Sequence, residues 1–176
     1  MHEFEATGTT WRLQSSREFQ TCFEKALPQV QTYLQHFESV FSRFKPDSLL
    51  IEAGKKGIHT VPQEFVEILL YYIPLFKLSE GAFTPLIGAT LTEAGYDRTY
   101  SFKQTPTHDV PDFLQTIHLI NATTIEVKTP VSFDFGAMGK GYAIDAVQSL
   151  LVQAGVEKGM INAGGDIRVW GDNTIR

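Results

Sequence analysis

The sequence predicts an α+β fold in which helices pack on a mostly antiparallel sheet. Three observations predict it. Apolar residues recur every three or four positions over two long stretches, the period of amphipathic helices. "TIHLINATTIEVKTPVSFDFG" alternates apolar and polar residues around a turn-like "NATT", the pattern of a β-hairpin. The chain then closes in a βαβ-like sequence from Val131 to Trp170.

In order along the chain, "GTTWRLQ" has a β-favouring composition and reads as a strand with loops at its ends. From Arg17 to Phe44, residues Phe19, Phe23, Leu27, Val30, Leu34, Phe37, Phe41 and Phe44 form a helical stripe, most simply explained by core packing for every phenylalanine except the last. Pro28 is expected to kink this helix or divide it in two. "RFKPDSLLIEAGKKG" breaks the pattern and reads as a loop with a short extended piece. A second helix begins around Pro62 and runs through Phe65, Leu69, Tyr72, Ile73 and Phe76, with Gly81 as its C-terminal cap. Pro85 opens a short helix ending near Gly95, and Pro106 and Pro111 bracket a polar connection. After the hairpin, a final helix is predicted over Tyr142 to Ala154, followed by "KGMINAGGDIRVWG" as strand, glycine turn and strand.

Composition narrows the function. The chain has 176 residues and is 43% apolar, enough for one substantial core or two small lobes, and no internal boundary is assigned within 1–176. Fifteen basic and twenty acidic side chains give a net charge of −5 without blocks of like charge, which argues against a broad nucleic-acid or anionic-membrane surface. Apolar runs such as "FVEILLYYIPLF" are broken by charge and proline well short of the roughly 20 residues of a membrane span. The first residues lack a secretory-signal pattern, and a single Cys22 closes no internal disulfide. The expectation is a cytoplasmic protein as given, exported or membrane-anchored only if a signal segment was removed.

The chemistry concentrates in "VSFDFGAMGKGYAIDAVQSLL". Gly136, Gly139 and Gly141 give G-x-x-G-x-G, the reverse of the dinucleotide fingerprint, and the spacing around Lys140 also fails the P-loop pattern. Glycines nonetheless admit close backbone approach, a following helix N-terminus adds partial positive charge, and Lys140 adds a full one. Phosphate or pyrophosphate suits such a place. Asp134 beside it suits a ligand that also carries hydrogen-bond donors, such as a base or a flavin ring edge.

"FDFGAMGKGYAID", followed by "INAGGDIRVWG", closely resembles the ApbE family, the FAD:protein FMN transferases once named as thiamine-biosynthesis lipoproteins. "TGTTWRL", "FSRFKPDSLL" and "SEGAFTPLIGATLTEAGYD" resemble further family segments in the right order, so the likeness spans nearly the whole chain. It implies a T-fold-like α+β architecture. It also implies cleavage of FAD at its pyrophosphate and transfer of the FMN phosphate to a threonine of a partner flavoprotein, with Mg²⁺ required. By this correspondence Asp134 and Lys140 contact FAD, and the backbone carbonyl of Ala137 ligates the metal. Ala82, Phe83 and Thr84 fall on another FAD-contacting segment, where Thr84 replaces a common aspartate. Thr7 stands where the family usually has a flavin-contacting methionine, and Phe44 where many members have a tyrosine. Asp145 and Asp166 also fit family motifs, with helix or turn hydrogen bonding as their simpler explanation.

"LIGAT" resembles the tail of the acceptor motif in partner proteins, but it lacks the serine and the preceding acidic residue, so Thr90 is not assigned as an acceptor. The resemblance further implies a second half carrying a His-x-x-Asp-Pro segment and the side chains that complete the metal site. None of the five histidines matches that segment. The expectation is therefore a chain lacking the C-terminal part, holding part of an active site, with a sheet edge through which copies associate. An alternative to the transferase is a flavin-nucleotide-binding or assembly module without turnover.

Overall fold

A computed structural model of the chain describes residues 1–106 and 108–171; the terminal "DNTIR" lies outside the described residues. The chain forms two compact units, one of Met1–Glu38 and Gly139–Arg176, the other of Ser39–Met138. Among the described residues all strand pairs are antiparallel, in one sheet of four strands and one of three, as the α+β expectation requires.

In the first unit, β1 (His2–Ala6) and β2 (Thr9–Ser15) form a hairpin, and β6 (Gly159–Ala163) and β7 (Asp166–Trp170) form another. The sheet order is β1-β2-β6-β7. Only β2 was expected at the N-terminal end; "HEFEA" is too polar to announce itself, and pairing with β2 makes it a strand. Trp11 and Leu13 on β2 and Ile161 and Ala163 on β6 are buried on one face, because side chains alternate along a strand. The β6–β7 turn has left-handed Gly164 and Gly165, and a Cβ at Gly164 would lie 2.1 Å from the Thr9 hydroxyl oxygen. β7 is one of the two outer strands of this sheet, with Ile167 and Val169 exposed.

Helix α1 (Gln20–Phe41) follows a 3-10 turn at Arg17–Phe19 and ends three residues short of Phe44. It continues undivided through Pro28, contrary to the expected break. Proline costs about 3 kcal/mol inside a helix. Buried Phe23, Ala26, Val30 and Leu34 lie on both sides of it, and each large apolar side chain contributes about 1.5–3 kcal/mol, so the stripe outweighs the lost bond. Ala26 is buried where Leu27 was expected, and Leu27 is only half-buried.

The second unit holds α2 (Leu49–Ala53), β3 (Gly57–Thr60), α3 (Gln63–Leu78), α4 (Gly88–Glu93), α5 (Phe113–Thr116), and the hairpin β4 (Ile117–Asn121) with β5 (Thr124–Val127). The hairpin turns at Ala122 and Thr123 as predicted, and its sheet order is β3-β5-β4. α2 occupies part of the stretch expected to be loop and extended chain. It stops at Gly54, where a Cβ would meet the Val131 carbonyl oxygen at 2.4 Å. α3 ends in a C-cap in which Gly81 N–H donates to the Phe76 carbonyl at 2.8 Å, with Glu80 left-handed just before it. α4 begins three residues after Pro85, and α5 is capped by the Asp112 side chain, which accepts Gln115 N–H at 2.9 Å.

Two expectations at the close of the chain are corrected. Residues 131–135 form no strand, so there is no βαβ unit. Val131 N–H donates to the Gly54 carbonyl, Asp134 N–H to the Pro85 carbonyl, and the Ser132 carbonyl accepts Gly88 N–H. With its bonds spent on three separate partners, the segment is extended but builds no ladder. The final helix, α6, spans Gly136–Gln153 rather than starting at Tyr142. The glycines of "GAMGKG" are helical, and the apolar contacts of buried Ala143, Ile144, Val147 and Leu151 sustain the helix they weaken.

Candidate functional site

In the second unit, Asp134 sits two residues before α6 at the end of the extended segment. Its Oδ1 accepts Gly136 N–H at 2.8 Å, and its Oδ2 accepts Arg43 Nε–H at 2.5 Å. The pair is largely shielded, with side chains 8% and 14% exposed for Arg43 and Asp134. A Cβ at residue 136 would lie 2.9 Å from Oδ1, so glycine lets the carboxylate cap the helix start. A carboxylate accepts up to about four hydrogen bonds, so Asp134 retains acceptor capacity for a ligand.

Phe44 packs against the arginine of this pair. The Arg43 guanidinium lies 4.3 Å from the Phe44 ring centroid and 4.8 Å from that of Tyr96. Phe44 also stacks on Tyr100 with centroids 5.7 Å apart. Arg43 donates further to the Tyr96 carbonyl at 2.6 Å and to the Thr92 hydroxyl at 3.3 Å. On the other side of Asp134, the Tyr72 hydroxyl donates to the Asp134 carbonyl at 3.3 Å, and the Tyr72 ring stacks on Phe83 at 5.3 Å. Burial, and secondarily the Asp134 charge, push the Tyr72 phenol above its ordinary pKa, so it serves as a neutral donor.

Of the residues singled out in the sequence, Asp134, Phe44 and Phe83 are thus joined through Arg43 and Tyr72. Ala82 is exposed beside Phe83, with its N–H donating to the Ser79 carbonyl at 3.1 Å. Thr84 is buried, and its hydroxyl accepts Leu86 N–H at 3.2 Å, a local turn bond. Ala137 is exposed in the first turn of α6. A cavity of about 500 Å³ opens in this unit, with Arg43, Ser132 and Phe133 in its wall, a volume within the range of ligand pockets.

Thr7 and Lys140 belong to the first unit. Thr7 is left-handed at φ 50° in the β1–β2 turn; its N–H donates to Glu38, and its hydroxyl accepts Trp11 Nε1–H at 3.0 Å. Lys140, one turn into α6, lies 3.4 Å from Asp166 Oδ2. Asp145 lies 3.7 Å from Arg168 Nε. Both aspartates are paired with cations on the surface.

The start of α6 is chemically open. The first N–H groups of a helix lack intrahelical partners. Here Gly136 N–H is taken by Asp134 and Met138 N–H by the Phe135 carbonyl, while Gly136, Ala137 and Gly141 are exposed. A Cβ on Gly141 would meet nothing within 4 Å. Gly141→Ala is therefore expected to stabilise the free protein by up to about 1 kcal/mol in urea unfolding. If a ligand approaches the backbone there, the same substitution weakens that ligand's binding.

The donor set does not fit a magnesium ion. Mg²⁺ requires near-octahedral oxygen coordination, and the Ala137 carbonyl offers one oxygen. Among the described residues no group of three or more His, Cys, Asp or Glu side chains could hold a metal.

Sequence reading missed Arg43, Tyr72 and Tyr96. Arg43 stands next to Phe44 in "FSRFKPDS", but nothing in that spacing announces a shielded pair with a residue 91 positions away.

The chain is similar to known proteins over most of its length. The FAD:protein FMN transferase of Haemophilus influenzae is 24% identical over 164 residues, covering 85% of this chain and 47% of that protein. That of Treponema pallidum is 29% identical over 160 residues, covering 81% and 43%. The chain thus spans about half the length of these curated relatives. Among solved structures, the flavin transferase ApbE from Vibrio cholerae matches with TM-score 0.79 at 19% identity, covering 98% of this chain and 59% of that one. The apo form of Pseudomonas stutzeri flavinyl transferase ApbE matches with TM-score 0.80 at 17% identity, covering 97% and 60%. These two likenesses establish the fold. The family model described as ApbE family matches residues 7–175, and the chain belongs to the ApbE family.

Proposed function

We propose that this chain carries the flavin-nucleotide-binding portion of an FAD:protein FMN transferase, which moves FMN from FAD to a threonine of an acceptor flavoprotein. The observation that carries the reading is the start of α6. An acceptor, Asp134, caps it, its first two residues, Gly136 and Ala137, are exposed, and a lysine follows one turn later. A pyrophosphate there meets a helix N-terminus and an ammonium group, while Asp134 is free to accept from a ring N–H.

Phosphoryl transfer depends mainly on positioning and charge neutralisation. In this reading Lys140 leaves its exposed partner Asp166 for the phosphates, a cheap exchange because surface ion pairs contribute only about 0–1 kcal/mol. Phe44 and Phe83 offer apolar ring faces to the flavin, with Ala82 and Thr84 beside the same ligand. The family's magnesium is part of the proposal for the whole enzyme, and no step of it is assigned to this chain.

The test is to mix the purified chain with FAD, Mg²⁺ and an acceptor flavoprotein, and to look for fluorescence that stays on the acceptor after denaturation. Covalent transfer supports the transferase. FAD bound reversibly without transfer supports the alternative, a binding or assembly module. Absence of FAD binding contradicts both.

Association of two copies through the β7 edge is also proposed, resting on its outer position and on exposed Ile167 and Val169. Sedimentation should then show a concentration-dependent dimer that Val169→Lys abolishes; a monomer at all concentrations would contradict it.

A further inference from the structure

We propose that Arg43 is a positioning residue for flavin binding, holding the Asp134 carboxylate in the orientation that presents it to the ligand. This rests on the reading that Asp134 contacts FAD. Arg43 is held by three hydrogen bonds that it donates. Its Nε–H donates to Asp134 Oδ2 at 2.5 Å, one terminal nitrogen to the Tyr96 carbonyl at 2.6 Å, and the other to the Thr92 hydroxyl at 3.3 Å. Its planar group lies within 4.3 and 4.8 Å of the Phe44 and Tyr96 ring centroids.

These contacts leave the guanidinium one orientation. With Gly136 N–H on Oδ1 and Arg43 on Oδ2, both carboxylate oxygens are anchored and the plane of the group is set. The charge also stays compensated while the side chain is only 14% exposed. Lysine would keep the charge but not the planar fork, so this site distinguishes the two cations. Arg43 also lines the cavity of about 500 Å³, so it connects that wall to Asp134.

The experiment is a double-mutant cycle on FAD affinity, read by flavin fluorescence with the 176-residue chain, using Arg43→Gln, Asp134→Asn and both together. Arg43→Lys and thermal unfolding accompany it. Expected results are a loss of about tenfold or more for Arg43→Gln, the size of one charge-assisted hydrogen bond. Arg43→Lys should restore only part of it. In the Asp134→Asn background, Arg43→Gln should cost little more, because the group it positions is gone.

Unchanged affinity in both Arg43 variants, beside a loss in Asp134→Asn, overturns the role given to Arg43. So does a loss from Arg43→Gln that persists in full in the Asp134→Asn background, which marks a general packing effect. If Asp134→Asn binds FAD as tightly as the parent chain, the flavin reading of Asp134 itself fails. Should Arg43→Gln not fold, the cycle is run with Arg43→Lys, and additive losses then overturn the proposal.

Discussion

Phe65→Ala is expected to destabilise the protein by about 3–5 kcal/mol, with the start of α6 among the first parts to lose order. Phe65 is fully buried on α3. Its ring meets Phe41 at 5.8 Å, Phe133 at 5.6 Å and Phe135 at 4.9 Å, the last two in edge-on geometry. Phe133 and Phe135 flank Asp134 and are themselves 2% and 3% exposed. Removing the ring leaves a cavity under the segment that has no ladder of its own. Urea unfolding measures the cost, and hydrogen exchange at Asp134 and Gly136 shows where the slack appears. A loss under about 1 kcal/mol would mean that Phe133 and Phe135 are not seated through Phe65.

Lys140→Ala is expected to weaken FAD binding by about 1–3 kcal/mol, roughly fivefold to 150-fold, while folding is nearly unaffected. The lysine is about a third exposed, and its Asp166 partner is more exposed still, so their ion pair stabilises the fold little. An arriving phosphate would be desolvated against a helix terminus and meet a charge already nearby. Fluorescence titration separates the outcomes: an unchanged affinity returns Lys140 to a surface pair with Asp166.

Much of the fold was legible because periodicity reports burial. The α3 pattern through Phe65, Leu69 and Tyr72 and the hairpin around "NATT" were read correctly, since each is set by its own apolar spacing and turn residues. β1 and α2 were not, because a polar strand depends on its neighbour and a five-residue helix has too short a period to see. Glycine misled the reading of α6. In isolation "GAMGKG" looks like a loop, yet the buried stripe behind it winds it into the helix.

The site divides in the same way. Asp134 and Lys140 stood out because one precedes a glycine-rich stretch and the other lies within it, and the ApbE resemblance pointed to them. Arg43 did not, because its role lies in geometry: one guanidinium is directed at a carboxylate 91 positions away and packed against two rings. Tyr72 read as an ordinary member of an apolar stripe, and its burial is consistent with that; only its hydroxyl, reaching the Asp134 carbonyl, ties it to the site.

The central claim is that the first turns of α6 receive the linked phosphates of a flavin nucleotide. Backbone amide chemical shifts of the isotope-labelled chain, followed through an FAD titration, test it most directly. The account predicts that the largest changes fall on Gly136 through Gly141 and on Asp134, saturating together with the flavin signal. Saturable FAD binding that leaves those amides unmoved would contradict it.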